Sequence, residues 1–132
     1  MKFMLDTNAC IDILKENENV LLKFRENYND NFYISCITLA ELEYGVKKSK
    51  YYELNRKKLF SLLKLINILP FDENAALHFG AVYSDLEKKG CIIGKFDMLI
   101  GAHALSCNMN LITNNTDEFN RINGLTIQDW RS

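Results

Sequence analysis

Apolar residues in this chain fall into short runs, separated by longer stretches with helical spacing. Phe3-Met4-Leu5 is the first run; it stops at Asp6, is followed by Thr7 and Asn8, and gives way to Ile11, Ile13 and Leu14. A short apolar run followed by capping residues and helical spacing reads as buried strand, turn and helix. The same alternation continues along the chain. Helices are expected at 8–15 and from about Glu18, the second carrying Val20, Leu21 and Phe24 on one face. An asparagine-rich turn at 27–31 leads to a strand at 32–34, and Ser35 or Thr38 caps a helix running to Glu43 or Tyr44. A long helix at 51–65 offers Leu54, Leu59, Phe60, Leu62 and Leu63 for burial, with Ile66 just beyond; Ile68-Leu69 is a strand stopped by Pro70. Asp72 caps a helix at 73–89 that Gly90 ends, and Asp97 opens another containing Leu99, Ile100, Ala102, Ala104 and Leu105. A strand at 110–113, a polar loop or helical turn at 114–120 and a strand at 125–127 complete the pattern, closed by Trp130. Strands alternating with helices predict an α/β fold, a mostly parallel sheet with helices on both faces.

Composition narrows this little. The 132 residues suit one domain, 1–132, with an ordinary 48% hydrophobic and 25% charged content. The apolar runs fall far short of the ~20 residues that a membrane span needs, and the early Asp6 argues against a signal peptide. Cys10, Cys36, Cys91 and Cys107 are scattered without a paired spacing, so reduced thiols in a cytoplasmic protein are expected. Net charge is −1, yet 47–64 holds seven basic residues against Glu53 alone. Such a stripe is either a phosphate-holding surface or a solvated helical face.

Acids recur where a buried run ends or a helix begins: Asp6, Glu41, Asp97, and Asp117 and Glu118 beside Asn115. In a parallel sheet the carboxyl ends of the strands share one edge, where open α/β folds place their ligands. Carboxylates gathered there repel by about 4 kcal/mol per pair at ~4 Å and an effective dielectric of 20. Either one takes up a proton or a hard cation such as Mg²⁺ or Mn²⁺ binds. Such an ion keeps several waters and takes phosphate as a partner, which permits metal-assisted phosphodiester hydrolysis with a carboxylate as base. Asp6 taken singly is equally a capping aspartate. His78 and His103 are unpaired by spacing and read as packing or surface residues.

Asp6-Thr7-Asn8, the block 37–45 around Glu41, the block 94–104 around Asp97, and Thr113-Asn114-Asn115-Thr116-Asp117-Glu118-Phe119 stand in an order and spacing that resembles PIN-domain ribonucleases, and within them the VapC toxins of VapBC toxin–antitoxin pairs. The resemblance spans the chain. It implies a three-layer α/β/α sandwich and a Mg²⁺- or Mn²⁺-dependent endoribonuclease, usually acting on tRNA or a ribosomal RNA loop. It also implies a VapB-type antitoxin whose tail blocks the acidic pocket, and a homodimer. Asp6 and Asp97 match the metal-binding aspartates, Glu41 the acid that completes the site, and Thr7, Asn8 and Thr113 polar residues that position them. Asn115 stands where the family often has a fourth acid, with Asp117 or Glu118 as substitutes. Lys47, Lys48, Lys50, Arg56 and Lys57 become candidates for holding RNA, with Tyr51 and Tyr52 as stacking partners. Two other readings stay open: a binding module of the same fold with a degraded site, and a phosphotransfer enzyme using Asp6. The latter lacks a second aspartate at Asn8.

Overall fold

The computed structural model describes residues 1–28 and 31–132. The chain runs β1 (Lys2–Leu5), α1 (Thr7–Leu14), α2 (Glu18–Glu26), β2 (Asn31–Ser35), α3 (Cys36–Lys47), α4 (Tyr52–Leu63) and β3 (Asn67–Leu69). It continues through α5 (Glu73–Lys88), α6 (Lys95–Ser106), β4 (Asn110–Ile112), α7 (Thr116–Phe119) and β5 (Ile127–Gln128). The sheet is ordered β3-β2-β1-β4-β5, and every pair in it is parallel. The chain first builds outward from β1 through β2 to β3, then returns to lay β4 and β5 on the other side. The order therefore reverses between β1 and β4, and a crevice opens beyond their carboxyl ends.

Alternation along the strands splits the core in two. Phe3, Leu5, Phe32, Ile34 and Ile112 face the helices of the first half, where Val20, Phe24, Leu42, Leu59 and Leu62 are buried. Met4 and Leu111 face the opposite way, against Leu86, Met98, Ile100 and Phe119. The expected three layers follow from that division. Phe3 and Phe32 stack at 5.6 Å, and Trp130 meets Phe3 edge-on at 5.4 Å, so the last residues close the first core.

Several boundaries differ from the sequence expectations. Helix α3 runs on to Lys47, past Tyr44, because Val46 is buried and anchors the last turn. Helix α4 buries Leu59 and Leu62, but Leu54 and Phe60 are exposed at 54% and 61%; they lie on its outer side, where Lys64 Nζ stands 4.6 Å from the Phe60 ring centre. Helix α6 begins at Lys95 with Gly94 as N-cap, so Asp97 lies within the first turn instead of opening it. The last strand is Ile127–Gln128, shifted from 125–127 by its register against Leu111 and Ile112. The polar stretch after β4 resolves as the short helix α7. Part of the turn expected at 27–31 lies outside the described residues.

The α6 backbone approaches its neighbours closely at Gly101, where a Cβ would meet Ile122 Cδ1 at 2.6 Å and Phe119 ring carbons at 3.3 Å. Both neighbours are buried, so there is little room to give. Gly101→Val is expected to overpack the second core and cost about 1–3 kcal/mol in chemical denaturation.

Candidate active site

Asp6 is where the strand and helix signals meet. Its backbone N–H donates to Ile112 O at 3.0 Å, continuing the β1–β4 ladder by one residue. Its side chain caps α1, Oδ1 accepting the Ala9 N–H at 2.7 Å. It is 2% exposed. Burial, reinforced by the negative charges of Asp12 and Glu41, pushes its carboxyl up to about 6, against the opposing hydrogen bonds from Thr113 and Ala9.

The other acids come from distant segments. Asp97, half-buried in the first turn of α6, is also raised to about 6, first by burial and then by a hydrogen bond and charge from Glu118, with Asp6 and Glu41 adding to the repulsion. Glu41 lies on α3, where Thr7 Oγ1 donates to its Oε1 at 2.5 Å across a separation of 34 residues. Asn115 Nδ2 donates to Asp97 Oδ2 at 3.2 Å and also to Glu118 Oε2. Its backbone N–H donates to Thr113 Oγ1 at 2.9 Å. The crevice beyond β1 and β4 therefore gathers Asp6, Glu41, Asp97 and Glu118, oriented by Thr7, Thr113 and Asn115.

Asp117, Asn8 and the five basic candidates stand apart from that cluster. Asp117 is exposed, and it is Glu118 that turns inward. Asn8 is exposed and lines the cleft at the rim beside Tyr44, Lys48 and Phe96. Of the basic residues, Lys48 reaches that cleft. Arg56 is paired with Glu43 at 2.7 Å. Lys47 and Arg56 lie over the Tyr52 ring at 5.8 and 5.5 Å, Lys50 over Tyr51 at 5.9 Å, and Lys57 is exposed on α4.

Sequence reasoning missed Asp12 and Arg131. Arg131 grips the buried Asp12 with two hydrogen bonds, Nε to Oδ2 at 2.8 Å and Nη2 to Oδ1 at 2.6 Å, tying the C-terminal end to α1. An acid among the apolar positions Ala9, Cys10 and Ile13 was the available signal. Arg131→Ala leaves a buried carboxylate unpaired next to Asp6. A lower melting temperature is expected, by less than breaking a fully buried pair would cause, because the arginine is half exposed. Asp12→Asn made in the same chain should recover part of the loss, read as a double-mutant cycle. The sequence expectation for His103 is a packing or surface residue. It is buried, its Nδ1 lies 2.8 Å from Ser35 Oγ, and that oxygen accepts the Ile37 N–H at the start of α3. Burial lowers its pKa, the Asp72 charge opposing, so the ring links α6 to the cap of α3 in its neutral form.

The donors at the crevice are oxygens alone. Among the described residues no three acid, histidine or cysteine side chains close into a ready-made cage. Mg²⁺ does not require one, since it is held by one or two carboxylates and keeps its waters. Two aspartates that burial and then neighbouring carboxylates hold back from ionising fit such an ion, which would offset the repulsion.

The chain belongs to the PIN domain family, whose model matches residues 3–125. Within it the chain falls among the VapC ribonucleases. It is 41% identical to Ribonuclease VapC2 of Rickettsia felis and 40% identical to the tRNA(fMet)-specific endonuclease VapC of Shigella flexneri, in both cases over 98% of each chain. Its structure is similar to that of VapBC2 from Rickettsia felis bound to a promoter DNA fragment, with a TM-score of 0.94, 39% identity, and 98% and 99% of the two chains covered. It is also similar to DNA-bound VapBC from Salmonella typhimurium, with a TM-score of 0.92, 40% identity and 98% of each chain covered. Nucleases of this family generally use divalent metal ions. Among the described residues no helix is long and apolar enough to cross a membrane.

Proposed function

We propose that this chain is the toxin of a toxin–antitoxin pair, an endoribonuclease that uses Mg²⁺ or Mn²⁺ to hydrolyse RNA, tRNA foremost, in the cytoplasm until a VapB-type antitoxin covers its site. The observation that carries this reading is the convergence of Asp6, Glu41 and Asp97 from separate segments: the charge of Glu41 raises the pKa of both aspartates, and Asp6 also raises that of Asp97. The chain's relatives support the substrate and partner: one is named for tRNA(fMet), and two similar structures are toxin–antitoxin complexes.

Asp6 and Asp97 would hold the metal, with Glu41 completing the set of acids. A bound divalent cation supplies a more acidic water and neutralises charge on the phosphate. The protein does the rest. Thr7 occupies Glu41 Oε1, which leaves Oε2 to accept a proton from the attacking water. Asn115 and Thr113 hold Asp97 and Asp6 in place. Glu118 supplies the fourth acid that Asn115 lacks, which removes the main support for a degraded binding module. The chain is read as a single domain that pairs with a second copy, as its family resemblance implies.

The test is incubation of the purified chain with total tRNA in Mg²⁺, in Mn²⁺ and in EDTA. Defined cleavage products are expected with either metal and none with EDTA. Cleavage that survives chelation would reject the mechanism.

A further inference from the structure

Beside the acid cluster, and sharing Thr7 and Glu41 with it, lies a cleft of about 470 Å³. That volume is within the 300–1,000 Å³ typical of small-molecule sites. Glu41, Tyr44, Gly45 and Lys48 line one side. They sit at i, i+3, i+4 and i+7 along α3 and its C-cap, Lys48, and so form one stripe. Phe96 lines the cleft from α6, immediately before Asp97, and Thr7 and Asn8 lie at the end nearest the acids. Two aromatic side chains at its walls are left to solvent, Tyr44 at 66% and Phe96 at 57% exposure. Single exposed aromatics need no explanation. Two on the same cleft, each within one helical turn of a site carboxylate, do. Lys48 adds a cation, its Nζ 4.9 Å from the Tyr44 ring centre.

We propose that this cleft receives one unpaired nucleobase of the substrate, stacked against Tyr44 and Phe96, with an adjoining phosphate on Lys48. The inference rests on the reading that RNA is the ligand of the acid site. The occupant follows from continuity and charge: the cleft shares Thr7 and Glu41 with the site, and the aromatic walls next to a lysine suit a flat base joined to an anionic backbone. A base inside a duplex is already stacked and cannot enter. Tyr51 and Tyr52, the stacking candidates from sequence, do not line this cleft.

The test measures binding and needs no cleavage. Asp6→Asn protein is titrated with RNA hexanucleotides carrying 2-aminopurine at each position in turn. One position is expected to be quenched on binding. In this background Tyr44→Ala should weaken binding about tenfold to hundredfold, the range for losing one base stack, while Tyr44→Phe should bind normally. An abasic nucleotide at the quenched position should erase the difference between Tyr44 and Tyr44→Ala. Gly45→Leu provides a second probe, because a Cβ there meets nothing within 4 Å. It should fill the cleft and weaken RNA binding without lowering the melting temperature. The proposal is overturned if no position is quenched, if Tyr44→Ala binds as well as the parent, or if Gly45→Leu weakens only binding of an antitoxin peptide. Stacking without any cleavage by the unmutated chain would count against the nuclease reading and leave this one standing.

Discussion

Asp6→Asn is expected to lower the RNA cleavage rate about 10³-fold or more, the effect of losing several kcal/mol of metal-derived charge stabilisation, without destabilising the fold. The two halves of that expectation have different origins. Asparagine keeps the Oδ1 that accepts the Ala9 N–H, so α1 retains its cap. It also removes a buried negative charge that burial, Asp12 and Glu41 all oppose. In EDTA at pH 7.5 the variant should therefore melt no lower than the parent. A single-turnover cleavage assay alongside a thermal melt separates the two effects. Lost activity together with a lower melting temperature would mean that Asp6 serves the fold and not the chemistry.

The second large effect concerns pH and metal. Asp6 and Asp97 are each raised from 3.8 to about 6 in the folded chain. Between those values the folded state binds more protons than the unfolded state, so stability falls as pH rises. The contribution is fully present below about pH 4 and lost above about pH 6. For the buried Asp6 alone the ionised form costs on the order of 3 kcal/mol, or on the order of 10 °C in melting temperature for a domain of this size. The parent in EDTA should thus lose stability from pH 4.5 to 7.5 more steeply than Asp6→Asn, and the difference between the two melting curves isolates the group. Added Mn²⁺ should raise the parent's melting temperature more at pH 7.5 than at pH 5, because protons compete with the metal for the same oxygens. Equal stabilisation at both pH values would contradict this.

The parts that could be read from the chain share a local cause. Phe3-Met4-Leu5 followed by Asp6 carries its own signal, since strand, acid and cap are adjacent, and that placed Asp6 at a strand end. Asp97 and Glu41 needed the resemblance to a known family, because no local pattern sets them facing Asp6. What was misread depends on packing across the fold. Apolar residues lie all round α4, so only its contact with the first core decides that Leu59 is buried and Phe60 is not. A helix as short as α7 has no periodicity to phase, and Asp117 and Glu118 could not be told apart. Asp12 and Arg131 are 119 positions apart, beyond the reach of any spacing rule. Tyr44 and Phe96 are each an ordinary aromatic in the sequence until the two helices bring them to one cleft.

The measurement that bears most directly on the acid cluster is calorimetric titration of Mn²⁺ into the chain at pH 6, repeated in buffers of different ionisation heat. Binding accompanied by proton release is expected for the parent, with both the binding and the proton release much reduced in Asp6→Asn and in Asp97→Asn. Equal Mn²⁺ affinity in all three proteins, or none in any of them, would contradict the claim that these distant acids form one ion-holding site.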